Sequence, residues 1–222
     1  MNIFALSKDP VESATQMIDK HVIKMPTETC QMLHTNIIYM EYVQAYGKKP
    51  QLKDLKRFHK QTESKLMKPA MLNHPSTIWA RQSIANFHWL YQHGLALCEE
   101  YTLRYGKRHR SQDRIIIGMR RRDRINYSFP HTGLTPVTIA MDDKYRIERN
   151  FEMTFADQNW YDEREWDFVI ESYRHYYLTG KWEFASWKTT PPNWWPKNHY
   201  DNMMAKKVEA FNQTYNAKLQ EE

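Results

Sequence analysis

The sequence predicts a mainly α-helical fold: a single helical domain with long irregular loops and a C-terminal amphipathic helix. Three observations predict it. Apolar residues recur at three- and four-residue intervals through much of the chain. The stretches are bounded by helix signals, with Asp9-Pro10, Asn73-His74-Pro75-Ser76 and Asp162-Glu163-Arg164-Glu165 as entries and Gly47, Gly106 and Gly180 as stops. Only six glycines occur among 222 residues, each alone, so the glycine-rich phosphate loops of Rossmann and P-loop folds cannot be built.

The elements follow in order. Residues 2–6 read as a short strand-like start. Asp9 can cap a helix, Pro10 suits its first position, and Glu12 supplies the acid of a capping box. That helix is expected to run to Met25, where Pro26 ends or kinks it. Pro26 opens a second helix to Tyr46, carried by Met32, Leu33, Ile37, Met40 and Val43 and stopped by Gly47-Lys48-Lys49-Pro50. Residues 51–68 are lysine-rich with a partial apolar stripe (Leu52, Leu55, Phe58, Leu66), and one long helix is expected from Thr77 to Tyr105, ended by Gly106.

Residues 107–160 show no sustained periodicity and predict loops with short helices. The capping box at Asp162 opens a helix that buries Trp166, Val169, Ile170, Tyr173 and Tyr177 and closes at Gly180. Residues 181–196, rich in tryptophan and proline, predict an irregular strap over the helices; Trp182, Trp187, Trp194 or Trp195 can alternatively stack on a base. Residues 200–219 form the amphipathic helix through Met204, Val208, Phe211, Tyr215 and Leu219, so the chain divides into a helical core, 1–196, and a helical extension, 197–222. That extension is a candidate surface for self-association.

Composition narrows the class further. Two cysteines, Cys30 and Cys98, both in apolar helical stretches, suit a reducing cytoplasm and no disulfide framework. No signal-peptide pattern and no membrane-length apolar run are present, so a soluble cytoplasmic protein is expected. HExxH, paired CxxC and GxSxG are missing, and no histidine pair has clean metal-ligand spacing with a third ligand nearby, so no metal or cofactor is expected. The net charge of +6 is uneven: the segment Arg104–Arg124 holds nine basic and two acidic residues and carries +7, leaving −1 for the rest. Such a segment favours a polyanion, most simply DNA, with Arg108, Arg110, Arg114, Arg120, Arg121, Arg122 and Arg124 as candidate phosphate contacts.

Chemistry concentrates near the start. At ~100° per residue, His21, Lys24, Glu28 and Gln31 fall on one stripe of a helix bordered by Ile18, Val22, Met25 and Leu33. One reading is an acid/base pair, His21 with Glu28, beside Lys24 as a cation for a phosphate or oxyanion. The other is an internal ion-pair network or a solvated face. Asp19 is the second carboxylate able to face a sugar. His74, Arg81, Asn86, Arg104, Lys107 and His109 are candidate substrate contacts, with capping as the alternative for His74 and Arg104.

The opening Met1-Asn2-Ile3-Phe4, then Asp19-Lys20-His21-Val22-x-Lys24-Met25-x-x-Glu28-x-x-Gln31-x-Leu33, resembles a family of small, largely uncharacterised bacteriophage proteins. Asn73-His74-Pro75-x-x-x-Trp79-x-Arg81, Asn86-x-x-Trp89-Leu90 and Glu100-Tyr101-x-x-Arg104-Tyr105-Gly106-Lys107-x-His109 share the resemblance. So do Ala140-Met141-x-Asp143-x-Tyr145, Tyr173-x-x-Tyr176-Tyr177 and Trp187 with Pro192-x-Trp194. The resemblance implies phage origin and a role in the host cytoplasm during infection. In character the chain is also similar to the all-helical pyrophosphorylase-type enzymes of phage thymine hypermodification, which are themselves similar to helical DNA glycosylases.

Together these features predict a DNA-directed enzyme that acts on a pyrimidine base, by hypermodification transfer or by glycosylase-like chemistry. Two other classes remain open at this stage. One is a non-catalytic protein that binds nucleic acid or a host factor. The other is an enzyme of free nucleotides.

Overall fold

A computed structural model describes residues 2–150 and 163–221, with side chains to residue 214. Eight α-helices and no strands occur among the described residues: α1 (Pro10–Thr15), α2 (Asp19–Tyr46), α3 (Leu52–Gln61), α4 (Pro75–Gln82), α5 (Ile84–Tyr105), α6 (Ser111–Arg122), α7 (Glu163–Tyr176) and α8 (His199–Glu221). The fold is a mainly α single domain.

α2 is the axis of the molecule. Its 28 residues span about 42 Å at 1.5 Å per residue, and α5, α6, α4 and α3 pack around it. Residues Met32 to Met40 are all buried, so this helix is apolar on nearly every side rather than amphipathic. Two crossings depend on missing side chains. A Cβ on Gly94 of α5 would lie 2.7 Å from Thr29 Cγ2, and one on Gly118 of α6 would lie 2.8 Å from the His34 ring. His34 is fixed there: its Nδ1 accepts from Met67 N–H at 2.9 Å and its Nε2–H donates to Arg114 O at 2.9 Å, tying α2 to α6 and to the segment after α3.

Several boundaries differ from the sequence expectation. The strand-like start is extended but pairs with no strand; Ile3 to Leu6 plug the core, and Ser13 Oγ satisfies Leu6 N–H (3.0 Å) and Phe4 O (3.1 Å). Asp9 caps α1 as expected, at 2.9 Å to Val11 N–H and 2.8 Å to Glu12 N–H. Glu12, however, accepts from Ser7 instead of closing a capping box, and α1 stops at Thr15. Its end is set by distant groups: Arg104 donates to Thr15 O and Met17 O, and Trp187 donates to Gln16 O. These bonds satisfy carbonyls that an unbroken helix would use internally.

Pro26 neither ends nor starts a helix; it lies buried inside α2. An interior proline costs about 3 kcal/mol, and packing on all sides of α2 outweighs it. The expected long helix 77–105 is broken at Ser83, whose φ of −141° and ψ of 146° are extended. Ser83 Oγ caps α5 at Ala85 N–H, and the backbone of His131 bonds to Gln82 O and Ile84 N–H across the break. The basic window forms a 12-residue helix, α6, where loops with short helices were expected.

The C-terminal third matches the expected pattern more closely. Trp166, Val169, Ile170, Tyr173 and Tyr177 are buried together. Gly180 does not cap α7, because the chain continues through a π-turn, Tyr177–Lys181. Asp162 of the proposed capping box lies outside the described residues. The aromatic strap packs over the helices, with Trp187 and Trp194 both hydrogen-bonded to Gln16. On α8, Val208 and Phe211 are exposed; the side chains of Tyr215 and Leu219 lie outside the described ones.

Candidate active site

The polar stripe on α2 divides into two environments. Glu28 lies half-buried, with 16% of its side chain exposed, while Lys24 reaches it at 2.9 Å from a side chain 69% exposed. The second partner of Glu28 comes from the start of the chain: Asn2 N–H donates to its Oε2 at 3.2 Å. Asn2 is held in turn by its side chain, which donates to Ala140 O at 2.9 Å and accepts from the Tyr173 hydroxyl at 2.9 Å. Thus α2, the first residues, the 138–140 segment and α7 converge at this carboxylate.

His74 completes this face. It caps α4, with Nδ1 accepting from Ser76 N–H at 3.3 Å, which leaves the proton on Nε2. Burial lowers its pKa and the amino-terminal charge lowers it further, while the nearby Glu28 carboxylate raises it. It is therefore a neutral N–H donor near Glu28 at physiological pH. Gln31, one turn further along α2, donates to the Lys68 carbonyl and holds the 64–70 segment beside the site. Asn2 and Tyr173 are structural supports of Glu28; the sequence offers only their place in the segments that carry the resemblance and, for Tyr173, a position on the buried face of its helix.

His21 and Asp19 face elsewhere. The His21 ring stacks on Phe4 at 4.1 Å, and its Nδ1 meets the Tyr177 hydroxyl at 2.6 Å in a buried contact. Burial, aided by Lys181 and Lys24, lowers its pKa to about 3, so it is neutral. Asp19 pairs with Arg104 at 3.0 Å and also accepts from Ser186 Oγ and Lys188 N–H. The Arg104 guanidinium is wholly buried and adds Glu100 at 2.7 Å. This network is the joint between α1, α2, α5 and the strap.

The other candidate contacts sort by burial. Asn86 is fully buried between Trp79 O and Thr135. Arg81 donates to Leu72 O and Asn36 Oδ1 and lies over Tyr39. His109 donates to Ile23 O at 3.2 Å and accepts from Ser111 N–H, joining α6 to α2. Lys107, Arg110, Arg114, Arg120 and Arg124 are exposed. Arg108 pairs with Asp113, Arg121 with Glu41, and Arg122 lies over Phe129.

Burial also pushes both cysteine thiols up to about 12, which leaves them protonated and unreactive. Among the described residues, no three His, Cys, Asp or Glu side chains gather as metal ligands, and no helix is long and apolar enough to cross a membrane. Two surface cavities, of about 670 and 880 Å³, lie away from Glu28: one beside α1 and the start of α5, the other along α6. Glu28 lines neither of them.

Against known proteins, residues 1–113 match the family described as pyrimidine dimer DNA glycosylase. No curated protein and no solved structure matches the chain.

Proposed function

Because the chain belongs to the pyrimidine dimer DNA glycosylase family, we propose that it cleaves the N-glycosidic bond of a dimerised pyrimidine in DNA and that Glu28 is the working carboxylate. A glycosylase-like action on DNA pyrimidines follows from the family. The residue assignment rests on one observation: Glu28 pairs with a largely exposed cation, Lys24, whereas the similarly covered Asp19 pairs with the fully buried Arg104.

The chemistry suits such a group. As the bond between sugar C1′ and base N1 breaks, positive charge develops on the sugar, and a fixed carboxylate stabilises it. Water adds at C1′ as the C1′–N1 bond breaks, its proton passes to Glu28 and from there to solvent, and the departing base nitrogen takes a proton from solvent. His74 presents a neutral N–H to the base side, and Lys24 is placed to meet a flanking phosphate. A dimer already distorts its stack, which lowers the cost of drawing it from the duplex. Transfer to a pyrophosphorylated pyrimidine would need spare cations for the leaving group. Arg81 and Arg104 are committed to the interior, so hydrolysis of the glycosidic bond is the reading the geometry supports best.

The test is a duplex carrying one cyclobutane pyrimidine dimer. Cleavage leaves the base attached to its neighbour through the cyclobutane ring, so the product is an alkali-labile abasic sugar that yields free base only after photoreversal. Glu28→Gln is expected to lower the rate by at least about 10³-fold, equivalent to roughly 4 kcal/mol. Borohydride added during turnover shows whether the attacking group is water or an amine of the chain, since only an amine is trapped as a covalent adduct. Absence of alkali-labile sites with the intact protein would overturn the assignment.

A further inference from the structure

The cations of α6 are not equivalent. Helical spacing puts Arg114, Ile117 and Arg121 of α6 within about 60° of one another, with Arg120 at the flank. The opposite face, Ser111, Ile115 and Gly118, is buried against α2 and α5. The exposed stripe borders the cavity of about 880 Å³, whose far wall is the turn at Glu63 and Lys65 and whose end is Glu41 and Gln44 of α2. Phe58 and Ile117 contribute an apolar floor.

Charge in this groove is favourable to an anion. Lys65, Arg120, Arg121 and Arg124 face two carboxylates, Glu41 and Glu63. Arg121 is held by both oxygens of Glu41, which fixes one wall. The side chains of Lys65, Arg120 and Arg124 make no ion pair or hydrogen bond among the described residues. Arg120 lies in the last turn of α6 and Arg124 in the turn that follows it, and both line the cavity.

Glu41 follows Glu28 by 13 residues of one helix, about 20 Å along its axis and about 140° around it. The exposed lysines of the intervening segment, Lys65 and Lys68, lie on the strap that Gln31 and His34 fasten to α2. We infer that the groove between α6, the Glu63–Lys65 turn and the end of α2 is a second backbone site, which holds phosphodiester chain flanking the base at Glu28. The flanking placement rests on the Glu28 reading; the groove's affinity for DNA backbone does not.

The experiment compares Lys65→Gln/Arg120→Gln/Arg124→Gln with a variant of equal charge change on the exposed face of α3, Lys53→Gln/Lys56→Gln/Arg57→Gln. Binding to an undamaged 24-base-pair duplex is followed by anisotropy from about 50 to 300 mM salt. The groove variant is expected to reduce the slope of log affinity against log salt by about 2–3, with the α3 variant unchanged. Equal slopes in all three proteins would overturn the proposal, whether or not Glu28 is catalytic. Duplexes with a central dimer and arms of about three or ten base pairs then test the flanking placement. Affinity of the groove variant is expected to fall at least tenfold on the long arms and less than twofold on the short ones. Equal losses on both would overturn that placement. Absence of glycosidic cleavage with a changed salt slope would instead count against Glu28 and leave the groove standing.

Discussion

Two carboxylate–cation pairs stand about two and a half turns apart on the same helix, in different surroundings. Asp19 with Arg104 and Glu28 with Lys24 have similar separations, 3.0 and 2.9 Å, and similarly covered carboxylates, 13% and 16% exposed. The cations differ: the Arg104 side chain is fully covered and that of Lys24 is 69% exposed. Arg104 spends its guanidinium on two carboxylates and two backbone carbonyls, so nothing is left for a ligand. In the proposed function, Lys24 swings to a phosphate and leaves its carboxylate facing the substrate. Residue type and spacing do not separate scaffold from chemistry here; burial of the cation does.

Breaking the buried pair is expected to have the largest effect on stability. Arg104→Met leaves Asp19 and Glu100 without their cation and should cost about 3–5 kcal/mol, a fall in Tm of roughly 6–20 °C. Calorimetry checks this, and an unchanged Tm would erase the contrast.

Acid probes the scaffold a second way. His21, His34 and His93 are held neutral by burial at pKa values of about 3, 4 and 4, against about 6.5 in the unfolded chain. The unfolded state therefore binds more protons, and the stabilisation present above pH 6.5 is lost as pH falls toward 4. At pH 5 each imidazole should withdraw about 2 kcal/mol, seen as a lower urea midpoint than at pH 7. A flat profile would contradict the buried assignments.

Smaller effects sharpen the comparison. Gly118→Ala pushes a methyl group against a His34 ring that two hydrogen bonds hold in place, and should cost about 1–2 kcal/mol net of the better helix propensity. A gain in stability would show that the α2–α6 contact is looser than described. Lys24→Gln should change stability by less than about 1 kcal/mol, with any loss appearing in KM. A stability loss as large as that of Arg104→Met would place both pairs in the same class.

Much of this fold was legible from local signals. The cap at Asp9, the stops at Gly47 and Gly106, and the buried face of α7 follow from short-range chemistry. The failures share a cause in long-range contacts. Arg104 and Trp187, far away in sequence, end α1 at Thr15; packing on every side carries α2 through Pro26; and the backbone of His131 stabilises the break at Ser83. At the site, helical phase brought Lys24, Glu28 and Gln31 to one side correctly. It could not show that Phe4 and Tyr177 would draw His21 into the core, or that Asn2 would reach across to Glu28.

The most direct measurement pairs Glu28→Gln with Asp19→Asn on the single-dimer duplex, with Tm recorded for each. The account predicts that Glu28→Gln keeps its Tm within a few degrees and loses abasic-site formation by at least about 10³-fold, while Asp19→Asn lowers Tm and retains activity in proportion to its folded fraction. The reverse pattern, an active Glu28→Gln beside a folded but inactive Asp19→Asn, would contradict it.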